Sequence, residues 1–253
     1  MRLNLNNIIN RHKNIPALVI AHGPSLNEYL PILDQLKQKG IILIDCNEFY
    51  DFHKVNPTYW CFASSVLRID NQINYINKTD SVIVYANSVD FTNKNWIEQN
   101  IKTDIIAYDQ RHFQYKTCNE LMQSSLKNYG GYSWNGLCCN NIDRTRLTIQ
   151  EELQKMTMYS KHYKTGDSIA VHELALAVLL GCNPVYFIGI DLDYRLGYAN
   201  NIKYNVPMDG LSENYDRIVE DMEIIRDSAK VIGIELINLN NLSYLPFNKG
   251  KIE

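Results

Sequence analysis

Short polar residues recur where apolar runs stop, and they carry most of the chemistry this chain could do. The run at residues 16–21 ends in His22-Gly23-Pro24-Ser25, and the run at 41–44 ends in Asp45-Cys46-Asn47. Residues 59–63 end at Ser64-Ser65, and residues 81–85 lead to Asn87-Ser88. Residues 185–188 end in Gly189-Ile190-Asp191-Leu192-Asp193-Tyr194. Gly23-Pro24-Ser25 joins an apolar run to a helical pattern, which gives a tight turn and a helix start. Free N–H groups and a partial positive charge suit such a start to a phosphate. Ser25-Leu26-Asn27-Glu28 also fits a capping box, in which Ser25 serves only the helix. His22 sits in the turn itself, either as a phosphate contact or as a structural residue. Thr165-Gly166-Asp167-Ser168 opens a second helix, and Gly166 and Ser168 are placed there for a second phosphate contact. The Asn47 amide can donate and accept at once, which suits a base or ribose edge, or it caps a helix. Ser64 joins the set by its place at a strand end. Asp191 and Asp193 lie two residues apart, as Mg²⁺ bridged to substrate phosphates would require, or Asp191 caps the neighbouring turn.

Several classes of function are excluded by absence. There is no GxxxxGK[ST] loop and no GxGxxG. Histidines 12, 22, 53, 112, 162 and 172 form neither HxxxH nor HExxH, which argues against zinc, and His172 reads as packing. The six cysteines show no CxxC spacing, so buried thiols in a reducing cytosol are expected. A net charge of −3 without a basic block argues against a nucleic-acid partner. Neither a signal-peptide core nor an apolar run of membrane-spanning length is present. The expectation is therefore a cytoplasmic protein with no transmembrane segment, and a homo-oligomer is compatible with it.

The elements that must hold these residues alternate. Strand patterns at 16–21, 41–44, 59–63, 81–85, 103–107, 185–188 and 234–238 are separated by helical stripes at 26–38, 168–180 and 213–231. With 253 residues, 45% of them hydrophobic, the chain can bury one large core. The fold expected is α/β: a Rossmann-like, doubly wound, mainly parallel sheet in a single domain over residues 1–253. Residues 108–165 have poor periodicity and many Tyr, Asn, Gln and Lys, and read as a helical or loop insertion, a lid carrying Tyr132 and Trp134. Ligands of such sheets bind beyond the carboxyl ends of the strands, where the polar segments above all lie.

In order and spacing, Ala21-His-Gly-Pro-Ser-Leu26, Asp45-Cys-Asn-Glu-Phe-Tyr50, Gly166-Asp-Ser-Ile-Ala170 and Val185-Tyr-Phe-Ile-Gly-Ile-Asp-Leu192 resemble the MptE-like superfamily. Its named member is an archaeal 6-hydroxymethyl-dihydropterin diphosphokinase. The same motifs are similar to those of bacterial sialyltransferases and of motility-associated flagellin glycosyltransferases. The sialyltransferase-like resemblance implies that Gly23, Pro24, Ser25 and Asn47 hold a CMP-sugar. That branch carries Asn where this chain has His22, and its base is a histidine after the late GID strand, whereas no histidine follows His172 here. Tyr194, Tyr198 and Tyr204 are the candidates to replace it. The diphosphokinase resemblance implies ATP with Mg²⁺ on Asp191 and Asp193.

The resulting expectation is a transferase with a nucleotide-containing donor, first a nucleotide-sugar glycosyltransferase with a small-molecule or glycan acceptor. The alternatives are ATP- and Mg²⁺-dependent diphosphate transfer and a non-catalytic nucleotide-binding protein. Nucleotide contacts are expected at His22, Gly23, Pro24, Ser25, Asn47, Ser64, Gly166 and Ser168. Catalysis is assigned to Asp191, Asp193 and Tyr194. No tightly bound cofactor is expected; if the transfer is Mg²⁺-dependent, Asp191 and Asp193 are the residues that hold the ion.

Overall fold

The computed structural model describes residue 3 and residues 5–62, 70–86, 99–108, 168–202 and 215–252. The lid expected at 108–165, apart from Tyr108, lies outside these, as do Ser64, Gly166, Tyr132, Trp134 and Tyr204.

Among the described residues eight strands form one sheet: β1 (Ala17–Ile20), β2 (Ile42–Cys46), β3 (Tyr59–Phe62), β4 (Val82–Ala86), β5 (Ile105–Tyr108), β6 (Val185–Ile188), β7 (Leu236–Asn238) and β8 (Asn248–Lys249). Their order is β5-β4-β3-β2-β1-β6-β7-β8. Every pairing is parallel, as the Rossmann-like expectation requires. The chain winds outward from β1 to β5 and then crosses to β6 on the other side of β1. The switch point, where such sheets open a crevice, therefore lies between β1 and β6.

Strand alternation builds two cores. Ala17 and Val19 face α5 (Ile169–Leu179) and α6 (Tyr215–Val231), whereas Leu18 and Ile20 face Leu26, Leu33 and Phe52. A third cluster around Trp60, Phe62 and Tyr85 fills the β3–β4 end. Helix α5 is buried from Ala170 to Leu179, lying between the sheet and α6. That accounts for a helix apolar on all sides rather than striped. Ile218, Met222, Ile225 and Ala229 form the buried face of α6, the stripe its sequence predicts.

The helix expected at 26–38 is broken. Pro24–Glu28 and Leu30–Ile32 are 3₁₀ turns, and only α2 (Leu33–Gln38) is α-helical. Pro31 offers no N–H to continue an α-helix and crowds the preceding turn. The predicted stripe nevertheless packs inward, with Leu26, Tyr29, Leu33 and Leu36 buried and Leu30 half-buried against them. The sequence gives no sign of β8, a two-residue polar edge strand.

Candidate functional site

Two turns meet at the switch point. After β1 the chain enters Gly23, and after β6 it turns at Gly189, which has φ +78°. The Gly23 N–H donates to the Gly189 carbonyl at 2.9 Å, and the Gly189 N–H donates to Ser25 Oγ at 3.0 Å. A Cβ on Gly189 would fall onto the Ala21 carbonyl, and one on Gly23 onto Asp191 and the Gly189 carbonyl, each far inside 3.0 Å. Both positions need glycine because the two turns touch through their backbones.

Asp191 completes this buckle. Its Oδ2 accepts from the Ser25 N–H at 2.9 Å, and its Oδ1 accepts from Asn240 Nδ2 at 2.6 Å. The N–H that the sequence offers to a phosphate is thus met by the protein's own carboxylate. Ser25 is not the cap of its turn either: Gly23 holds that position, without a side-chain bond. Ser25 therefore braces the site from behind and does not line the cleft. Asn240, seated after β7, carries no local signal of its part.

An open cleft of about 190 Å³ lies over the buckle, lined among others by His22, Gly23, Pro24, Asn47, Ser168 and Asp191. Asp193 and Tyr198 also border it. Most of the strand-end residues that the sequence singles out are thus brought together. The backbone of Tyr194 lies in a 3₁₀ turn, Tyr194–Leu196.

Asn47 has φ +45°, a left-handed conformation that Asn tolerates better than most residues. Its carbonyl accepts from Trp60 Nε1 at 2.5 Å. It does not cap α3 (Phe49–Phe52), whose N-cap is Glu48. Its side-chain Oδ1 is out of contact with solvent and, among the described residues, has no hydrogen-bond partner. A shielded acceptor left unpaired costs about 1–3 kcal/mol, so the place calls for a donor.

Ser168 is the N-cap of α5, its Oγ accepting from the Ala170 N–H at a long 3.3 Å. The start of this eleven-residue helix opens on the cleft, because Ser168, Ile169 and Ala170 all line it.

A Mg²⁺ ion on Asp191 and Asp193 would have to compete with the protein's own donors. Both oxygens of Asp191 are engaged as described. Asp193 is gripped side-on by Arg195, with Nε at 2.8 Å from Oδ1 and Nη2 at 2.5 Å from Oδ2. Those hydrogen bonds hold its carboxyl below the usual range.

A buried acid–base cluster that the sequence only hinted at lies beneath the cleft. Asp45, at the end of β2, is fully buried. Its Oδ1 accepts from His22 Nε2 at 2.9 Å and from the Cys46 N–H at 2.7 Å, while its Oδ2 accepts from His53 Nε2. Phe49 and Phe52 anchor α3 in the core and so deliver His53 to this point. The His22 ring stacks on Phe52, with centroids 3.9 Å apart at 24°. Tyr198 meets the same Phe52 ring edge-on at 5.5 Å. Burial pushes the Asp45 carboxyl up, but the charge and hydrogen bonds of His53 and His22 outweigh it and bring it down to about 2. The available signal was an aspartate in an otherwise apolar strand, which must find partners. Its partners depend on the register that pairs Ile20 with Asp45.

Among the described residues, His22, Asp45 and Cys46 bring metal-type atoms within 4.8 Å of one another. Burial pushes the Cys46 thiol well up, and both Asp45 oxygens are already taken, so these groups do not form a ligand set. Glu173 of α5 is also buried near Cys46; burial, then Asp45, pushes its carboxyl well up, against a smaller lowering by a hydrogen bond with Cys46.

No protein-family model matches the chain, and no curated protein matches it. Solved structures to which the chain is similar include sialyltransferases. CstII from Campylobacter jejuni with cytidine-5'-monophosphate is 13% identical, with 94% of this chain and 86% of that one covered and a TM-score of 0.42. A CST-II variant in complex with CMP is 16% identical over 94% and 89% of the two chains, with a TM-score of 0.48. CST-II with a trisaccharide acceptor and CMP is 13% identical over 94% and 89%, with a TM-score of 0.40.

Proposed function

We propose that the chain is a glycosyltransferase that takes a nucleotide sugar and passes the sugar to a hydroxyl of a small-molecule or glycan acceptor. One observation carries this reading: Asn47, whose shielded Oδ1 has no partner among the described residues, lines the same cleft as the start of α5. The first needs a hydrogen-bond donor, and the second favours an anion. A nucleotide supplies both, with amine or hydroxyl groups on its base and ribose and charge on its phosphates. His22, Gly23 and Pro24 lie between them, where the sugar linkage would pass. The sialyltransferase-like resemblance of Gly23-Pro-Ser-Leu26, Cys46-Asn-Glu-Phe-Tyr50 and Gly189-Ile-Asp191 supports a nucleotide sugar and makes CMP the first ligand to test. Diphosphate transfer through Mg²⁺ is not favoured, because Asp191 is committed to Ser25 and Asn240 and Asp193 to Arg195.

The test is thermal stabilisation by CMP, UDP, GDP and ATP, each with and without Mg²⁺. Stabilisation by one pyrimidine nucleotide, independent of Mg²⁺, is expected. A shift with ATP that requires Mg²⁺, or no shift with any nucleotide at millimolar concentration, refutes the proposal.

A further inference from the structure

We propose that His22 is the general base of this site, with Asp45 and His53 as the positioning residues that set its tautomer. The inference rests on the glycosyl-transfer reading and names the proton acceptor that reaction needs. His53 Nδ1 accepts from the Val55 N–H at 3.3 Å, so its Nε2 carries the proton that it gives to Asp45. Asp45 is ionised at neutral pH and can only accept, so His22 must also present Nε2–H to it. That leaves the lone pair of neutral His22 on Nδ1. Among the described residues Nδ1 has no partner, and His22 lines the cleft.

The carboxylate is itself fixed at both oxygens, and the His22 ring is held flat against Phe52. The imidazole therefore has little freedom to turn, and Asp45 stabilises the imidazolium that forms when Nδ1 takes a proton. In the transfer step, Nδ1 accepts the proton of the acceptor hydroxyl as its oxygen bonds to the anomeric carbon. The bond from that carbon to the donor's phosphate oxygen breaks, and its electron pair leaves with the nucleotide. With water as acceptor, the same step hydrolyses the donor. Among the described residues, the titratable groups that share the cleft or the buried cluster with His22 are Asp45 and Cys46 from β2, His53 beyond α3, and Asp191, Asp193 and Tyr198 beyond β6. Of these, Asp45 is the one bonded to its ring.

Two measurements test this. Imidazole ¹⁵N NMR of the wild-type protein at pH 7.5 should show His22 as the Nε2–H tautomer. An Nδ1–H signal overturns the inference whatever the substrate. Second, nucleotide release from CMP-, UDP- and GDP-sugars is followed for wild type and His22→Gln. Gln keeps an N–H for Asp45 but has no basic nitrogen. The expected result is a kcat about 100-fold lower or more, a donor KM within threefold, and loss of the acidic limb of the pH profile. Asp45→Asn should shift that limb, which a merely structural role would not do. Release that survives in His22→Gln overturns the inference alone. Failure of the wild type to release nucleotide from any donor overturns glycosyl transfer and, with it, the role given to His22.

Discussion

Replacing Gly189 by alanine should undo the buckle, and Gly40 provides a matched control. Both glycines are left-handed, with φ +78° at Gly189 and +86° at Gly40. Each alanine pays the left-handed backbone cost of about 1 kcal/mol. A Cβ at Gly40 meets nothing within 4 Å, so that cost is the whole effect expected of Gly40→Ala. At Gly189 the same atom falls on the backbone carbonyl of Ala21, just past β1, where the Ala21 N–H is held by the Ile188 carbonyl at 2.9 Å. Forcing the two apart costs about 1–3 kcal/mol in overpacking. It also strains the bonds from Gly23 to Gly189 and from Gly189 to Ser25, about 1 kcal/mol each. Gly189→Ala should thus lose about 5 kcal/mol, a large part of the stability of an ordinary domain. Urea unfolding at pH 7, followed by tryptophan fluorescence and circular dichroism, gives both values. If the two variants agree within about 1 kcal/mol, the close approach of the β1 and β6 turns is wrong, and the cleft above them with it.

Asn47→Ala should weaken nucleotide binding about tenfold, the worth of one hydrogen bond, while the melting temperature without ligand stays within a few degrees; calorimetric titration with CMP checks the first and a thermal melt the second. The Asp45 carboxyl, brought to about 2 from an ordinary 3.8, should still be titrating near pH 2 in a ¹³C NMR series, and a midpoint above 4 contradicts the cluster. Because the folded value is the lower one, Asp45 stabilises the fold fully above about pH 4. That contribution, about 2 kcal/mol, disappears as pH falls through 2. Glu173 has the opposite sign. Its folded value is raised, so its contribution is present in acid and lost as pH rises through the ordinary carboxyl range and beyond. Glu173→Met should therefore raise the urea midpoint at pH 7 and do so less at pH 4.5; a lower midpoint at pH 7 would show that the carboxyl makes a bond worth keeping.

The sheet could be read from the sequence because buried parallel strands are short continuous apolar runs, and α6 because its stripe has helical period. The position of the cleft could be read too, since His22, Asn47, Ser168 and Asp191 stand at equivalent ends of those runs. The partners within it could not. Asp191 reads equally well as a metal ligand or a turn cap until Ser25, 166 positions away, is seen to donate to it. His22 and His53 share Asp45 only because β1 and β2 pair in one register. Such contacts depend on registers and turn geometry that local pattern leaves open. The break in 26–38 is different: Pro31 was in plain view, but the apolar spacing on both sides of it matched a single helix.

The carboxylate that closes the turn after β1 also gives the cleft a polarity. Asp191 places negative charge on the side of β1 and β6, balanced by amide donors rather than by a cation. The first turn of α5, which lines another part of the cleft, has the positive end of a helix dipole. An anionic group entering the space is repelled from the one part and drawn to the other before it touches either. A ligand charged at one end and neutral at the other is thereby turned one way round, so its direction in the site is set by the fold rather than by the chemistry that follows.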